Sequence, residues 1–131
     1  MLAKNKIVAF VATNNIEKAK PFYQDVLGLT LVAVTQFALE FDAGGTTLRV
    51  TEVPNFRPGG GTAVGWEVAD IRGEMAELAA RGVTFEMFPG MTQDKSGIWT
   101  APGGAQVAWF KDQDGNTLSL TELPKGWVRR V

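Results

Sequence analysis

The chain contains no cysteine and no histidine in 131 residues. Without cysteine there is no disulfide, no thiolate nucleophile and no iron–sulfur ligation. Without histidine the commonest metal ligand and the commonest general base are both missing. Ser-His triads, Cys-His dyads and zinc sites of the His/Cys kind are therefore excluded, and no cofactor is expected. Charge of one sign is lacking too. Thirteen Lys and Arg against fourteen Asp and Glu give a net charge of −1, so no positive field exists to condense on nucleic acid or an anionic membrane. No apolar run approaches the roughly 20 residues of a spanning helix, and residues 1–6 are too polar to open a signal peptide. The expectation is a cytoplasmic protein with neither nucleic acid nor membrane as partner.

What is present reads as one globular α+β domain over residues 1–131, with 45% hydrophobic and 21% charged residues. Residues 6–13 (KIVAFVAT) suit a buried strand. Asn15 then reads as a helix N-cap, with Ile16, Ala19, Tyr23, Val26 and Leu27 at helical spacing and Gly28 as the stop. Pro21 lies inside that pattern and predicts a kink. Three strands follow at 30–35, 37–42 and 46–53, the last two joined by Gly44-Gly45. The segment 54–61 (PNFRPGGG) reads as a linker, since no Gly-Lys-Ser/Thr follows its glycines.

After the linker the pattern restarts. Residues 62–69 suit a strand, Asp70 a second N-cap, and Ile71, Met75, Leu78 and Ala79 a second amphipathic helix ending at Gly82. Further β-like segments fall at 83–88, 98–100, 106–111 and 117–122, with Asp114-Gly115 as a hairpin signal between the last two. Asn15 and Asp70 are 55 positions apart, and Gly28 and Gly82 are 54 apart. Two tandem β-α-β-β-β units, 6–53 and 62–123, follow from that spacing.

Three segments carry a family resemblance: Asn15-Ile16-Glu17-Lys18-Ala19 leading to Phe22-Tyr23-Gln24-Asp25-Val26-Leu27-Gly28-Leu29, then Val68-Ala69-Asp70-Ile71, and finally Phe110 to Leu118 (FKDQDGNTL). In order and spacing the chain resembles the vicinal oxygen chelate superfamily, which includes glyoxalase I, extradiol dioxygenases, fosfomycin-resistance proteins and bleomycin-binding proteins. The resemblance implies an open, cup-like mixed sheet with helices outside, a pocket inside, and commonly a homodimer. In metal-using relatives the ligands come from the first and last strand of each half. Here the matching positions are Val8, Arg49, Ala63 and Ser119. Val8 and Ala63 have no donor atom, Arg49 is a cation and Ser119 is a weak neutral oxygen, so no metal ligand is assigned.

Strand alternation puts Val8, Phe10, Thr47, Arg49, Thr51, Ala63, Gly65, Glu67, Thr117, Ser119 and Thr121 on the cup side. The more apolar set Ile7, Val11, Leu48, Val50, Val64, Trp66, Val68, Leu118 and Leu120 is expected under the helices. Arg49 on the cup side can take a ligand carboxylate or phosphate through its planar fork, or it can pair with Glu67. Trp109, ten positions before Ser119, matches Leu39 in the first half, which Phe37 and Phe41 flank. These aromatics are candidate stacking walls, with Trp99 capping the mouth from a mobile loop. The candidate ligand-binding set is Phe10, Phe41, Arg49, Glu67, Trp109 and Ser119. The tail at 125–131 (KGWVRRV) reads as a docking or frayed end.

Three functions fit these residues. The first is metal-independent binding of a small molecule, as in the drug-binding branch of the family. The second is a glyoxalase- or dioxygenase-like lyase or isomerase in which Glu67 takes a proton and Arg49 stabilises an enolate-like anion. The third is a non-catalytic interaction subunit. Metal-independent binding of a small molecule fits these residues best, with a homodimer as the expected assembly.

Overall fold

The computed structural model of the protein describes residues 1–129. Each expected N-cap forms. Asn15 Oδ1 accepts from the backbone N–H of Glu17 at 2.9 Å, and Asp70 Oδ1 accepts from Gly73 N–H at 3.1 Å. They open α1 (Ile16–Pro21) and α2 (Ile71–Ala80). The kink expected at Pro21 is a change of helix type. The missing proline N–H ends the α-helical ladder, and the chain widens into a π-turn over Phe22–Val26, with Leu27 N–H donating to Phe22 O at 2.9 Å. Gly82, at φ 94°, closes α2 with paired bonds from Gly82 and Val83 N–H to Ala79 and Leu78 carbonyls. Ala79, expected on the inner stripe, is exposed, so Ile71, Met75 and Leu78 alone form the buried face of α2.

Among the described residues the eight strands are β1 (Val8–Thr13), β2 (Thr30–Val34), β3 (Ala38–Ala43), β4 (Thr46–Glu52), β5 (Thr62–Glu67), β6 (Trp99–Thr100), β7 (Gln106–Lys111) and β8 (Thr117–Glu122). They form two four-stranded mixed sheets of identical order, β1-β4-β3-β2 and β5-β8-β7-β6. In each sheet the first strand pairs parallel with the fourth and the remaining pairs are antiparallel. The chain is thus α+β, with the β-α-β-β-β order expected of each half. No helix is long and apolar enough to cross a membrane among the described residues. Two compact units result: Met1–Gly60 together with the turn Asp112–Asn116, and Gly61–Lys111 together with residues 117–129.

In unit 1, α1 packs on β3 and β4. The face it covers holds Val11, Leu39, Phe41, Leu48 and Val50, all at most 3% exposed, with Tyr23 at 0% beneath the helix. Each such side chain contributes about 1.5–3 kcal/mol by leaving water. Ile7 was expected on this face but stands before β1 and is 75% exposed. In unit 2, α2 packs on β7 and β8 over Ala108, Phe110, Leu118 and Leu120. Each helix N-terminus gains a second acceptor from the end of its unit's fourth strand. Glu52 Oε1 accepts from Ile16 N–H at 3.3 Å, and Glu122 Oε1 accepts from Ile71 N–H at 2.9 Å. The same carboxylate-on-helix device occurs in both halves, where it satisfies an orphan N–H and favours the positive helix end.

One expected strand is absent. Residues 83–88 make a single bridge, Phe85 to Phe110. The side chain of Gln93 replaces the ladder: its Oε1 accepts from Phe88 N–H at 2.7 Å, and its Nε2 donates to the carbonyls of Glu86 and Gly97 at 2.9 and 2.8 Å.

The turn Asp112–Asn116 holds a dense polar network. Asp112 Oδ2 accepts from Tyr23 Oη at 2.6 Å and from Asn116 Nδ2 at 2.9 Å, while Oδ1 accepts from the N–H groups of Asp114 and Asn116, both at 2.9 Å. Burial pushes the Tyr23 hydroxyl far above its ordinary range, and the Asp112 charge adds to this, so Tyr23 remains a donor. Tyr23→Phe is expected to lower stability by about 1–3 kcal/mol in denaturant unfolding, because it leaves one Asp112 lone pair unmet. At Asp114, burial raises the carboxyl pKa, but bonds from Thr13 Oγ1, Asn14 N–H and Gln113 Nε2 outweigh it and hold the pKa below its usual value. That stabilisation is complete above the unfolded carboxylate pKa of about 3.9 and is lost as pH falls through the lower folded value. Asp114→Asn should therefore be less stable at pH 7 and should flatten the stability decline below about pH 4. A decline of unchanged steepness would assign the acid sensitivity to another group.

Candidate functional site

Each sheet leaves one face uncovered by its helix, and the strand registers define what that face carries. In unit 1 a row runs across the strands from Phe10 to Arg49 to Glu40 to Ala33. Phe10 is 61% exposed. Arg49 Nη1 lies 3.3 Å from Glu40 Oε1, with the side chains 38% and 29% exposed. The Arg49–Glu67 pair considered from sequence is thus replaced by Arg49–Glu40 on adjacent strands. At this exposure the pair is worth at most about 1 kcal/mol.

The register also corrects two aromatic assignments. Gly44-Gly45 makes a two-residue loop, so Ala43 pairs with Thr46 and Arg49 pairs with Glu40. The β7–β8 loop has five residues, so Lys111 pairs with Thr117 and Ser119 pairs with Trp109. The first-half counterpart of Trp109 is therefore Glu40 and not Leu39. A one-residue shift reverses the face, and Leu39 and Phe41 belong to the core, 2% and 0% exposed. Phe41 packs on Tyr23 with ring centroids 6.0 Å apart and cannot wall a ligand. Phe37, 60% exposed, precedes β3 and lies outside the strand row.

In unit 2 the open face carries a row Gly65–Ser119–Trp109 and a second row Glu67–Thr121–Val107–Trp99. Trp109 is half-buried between Trp99, at 6.2 Å between centroids, and Phe88, edge-on at 5.5 Å. Trp99 sits on β6 and not on a free loop. The Asp94 side chain, accepting from Ser96 and Ile98 N–H at 2.9 and 3.0 Å, shapes the turn that leads into β6. Ser119 is 9% exposed because its Oγ fills the space beside Gly65. Glu67 Oε1 accepts from Arg129 Nη2 at 2.6 Å, with side chains 59% and 72% exposed. The tail reading from sequence also covers Arg130 and Val131, which lie outside the described residues.

The four positions matched from the sequence to metal ligands of relatives are Val8, Arg49, Ala63 and Ser119. Val8 and Ala63 offer no donor, Arg49 is bound to Glu40, and the Ser119 hydroxyl is turned into the gap beside Gly65. Among the described residues no group of three or more His, Cys, Asp or Glu side chains is placed to hold a metal ion. Sequence reasoning missed Glu40, Phe88 and Arg129. Glu40 was within reach, since the Gly44-Gly45 turn implies its pairing with Arg49. Phe88 ends a strand-like run that forms no strand, and Arg129 lies on a segment with no strand pattern, so the sequence orients neither.

The Gly65–Ser119 contact can be tested directly. A Cβ on Gly65 would collide with Ser119 Oγ and stand 3.2 Å from its carbonyl oxygen. Gly65→Ala should cost about 1–3 kcal/mol of stability through overpacking, and adding Ser119→Ala should restore part of that in thermal unfolding. An unchanged loss in the double variant would place the strain in the backbone.

Comparison with known proteins agrees with this architecture. A member of the glyoxalase/bleomycin resistance protein/dioxygenase superfamily from Sphaerobacter thermophilus DSM 20745 has a similar crystal structure at 28% identity and TM-score 0.67, covering 90% of this chain and 96% of that one. Lactoylglutathione lyase from Agrobacterium tumefaciens is similar at 17% identity and TM-score 0.70, covering 90% and 92%. A glyoxalase/bleomycin resistance protein/dioxygenase from Nocardioides is similar at 19% identity and TM-score 0.72, covering 97% and 88%. At such identities the last two show the fold alone. No curated protein matches the chain. The family model for the Glyoxalase/Bleomycin resistance protein/Dioxygenase superfamily matches residues 6–120, and the chain belongs to that superfamily.

Proposed function

We propose that this protein binds a small molecule without a metal, in the manner of the glyoxalase/bleomycin-resistance type, and that it works as a cytoplasmic homodimer. The observation that carries the reading is the donor set. The four metal positions of the fold hold two aliphatic side chains, an ion-paired arginine and a packed hydroxyl. A surface with a few placed polar groups beside aromatic area is what ligand recognition uses. Trp109 and Trp99 supply the aromatic area in unit 2, and Phe10 with the Arg49–Glu40 pair supplies an apolar plate beside a donor and an acceptor in unit 1. Guanidinium has five N–H donors, so Arg49 can serve Glu40 and a ligand oxygen together.

The alternative, a lyase or isomerase using Glu67 and Arg49, is less well supported. Glu67 and Arg49 each pair with another side chain, Arg129 and Glu40, and no contact joins the two around one reacting group among the described residues. The homodimer is favoured by exposed apolar side chains on unit 1, where Val8, Phe10 and Val32 are 44%, 61% and 59% exposed.

Native mass spectrometry of protein purified from its own host, with elemental analysis, tests the reading. We expect twice the 14.2 kDa chain mass, a retained organic molecule and less than stoichiometric metal. About one zinc, nickel, manganese or iron per chain would overturn metal independence, and a monomer mass at micromolar concentration would overturn the dimer.

A further inference from the structure

We propose that Glu67 is the point at which the open face of β5-β8-β7-β6 recognises a cationic ligand group, ammonium or amidinium, and that the chain's own segment 124–129 competes for that point as a tethered surrogate. The inference rests on the reading that this face takes a small molecule. It goes further by assigning the charge of the ligand and an intrachain rival.

The segment is lightly held. Trp127 N–H donates to Pro124 O at 3.0 Å, which closes a local turn with Gly126 at φ 76°. Trp127 is 44% exposed and rests near Gly103, and Val128 is 67% exposed. The one ion pair tying the segment to the sheet, among the described residues, is Arg129 with Glu67. Its contact is short, 2.6 Å, yet both side chains are more than half exposed. Such a pair is well formed and cheaply opened, because water replaces each partner at little cost.

Arg129 meets Glu67 as a planar cation through one N–H donor, on Nη2. A ligand amidinium presents the same atoms. Glu67 shares a strand row with Thr121, Val107 and Trp99. Three strand spacings put Trp99 about 14 Å from Glu67, with Trp109 nearer. A cation on Glu67 and an aromatic group against the tryptophans therefore fit within one molecule of ordinary ligand size. Binding then requires the open state of the segment, and the apparent affinity falls by the fraction of chains that are closed.

Benzamidinium and its neutral isostere benzamide are the probes, titrated into the full chain and followed through the Trp99 and Trp109 indole and Glu67 amide resonances. Both side chains of the pair are solvated, so Arg129→Ala and Glu67→Gln should leave the fold intact. We expect Arg129→Ala to bind benzamidinium about three- to fivefold more tightly than the parent, the competition that an exposed ion pair supplies. Benzamide should bind the two equally, and Glu67→Gln should abolish the preference for the cation. Equal benzamidinium affinity in the parent and Arg129→Ala, or equal affinity for the two probes in Arg129→Ala, would overturn the proposal while leaving small-molecule binding intact. Failure of both probes to shift any of these resonances at millimolar concentration would overturn both.

Discussion

Unit 1 depends on the carboxylate of Asp112. It is 6% exposed, and a charge so placed is tolerable only when its lone pairs are met. Four donors meet them: Tyr23 Oη, two backbone N–H groups of its own turn, and Asn116 Nδ2. Asn116 Nδ2 also donates to Ala12 O at 2.9 Å, which ties the turn to the end of β1. Remove the carboxylate and the turn loses its internal frame, Tyr23 loses its partner at the core, and the last turn of the first helical segment loses its anchor. This five-residue loop sets the β7–β8 register, and the register is what brings Trp109 opposite Ser119 on the open side of the sheet.

Much of the scaffold is legible in the sequence because each signal there is local. Asn15 and Asp70 cap because their short side chains reach the first free N–H groups of the next turn, whatever lies elsewhere. Pro21 disturbs its helix because its ring removes a donor in place. The alternation of Val11, Leu48, Val50, Leu118 and Leu120 names the helix-covered face because period two follows from the pleat. The 54- and 55-residue spacings then say that the pattern occurs twice.

The site is less legible, since its partners are chosen across strands. Leu39 and Phe41 read as counterparts of a ligand wall only if both hairpins have the same loop length. They differ, two residues against five, and the core takes both side chains. Glu67 gives no hint of Arg129, 62 positions away on a segment without periodicity. Residues 83–88 have the composition of a strand, yet the Gln93 amide meets the backbone groups that a ladder would have used. In each case a tertiary partner decided between options that the local pattern left equal.

The repeat separates what the fold requires from what the open faces carry. Both halves keep the capping Asx residue and the strand-end carboxylate on the helix N-terminus, Glu52 in one and Glu122 in the other. Both keep the same strand order. The open-face positions do not repeat: Phe10 answers to Gly65, Arg49 to Ser119, Glu40 to Trp109. An arginine on the first sheet calls for a counter-charge beside it, and Glu40 supplies one on the adjoining strand. A glycine on the second sheet leaves a gap, and the Ser119 hydroxyl fills it. Helix capping and sheet order are conditions of folding and so recur with the repeat. The open-face side chains, bound only by the needs of their immediate neighbours, are where two similar scaffolds are free to carry different chemistry.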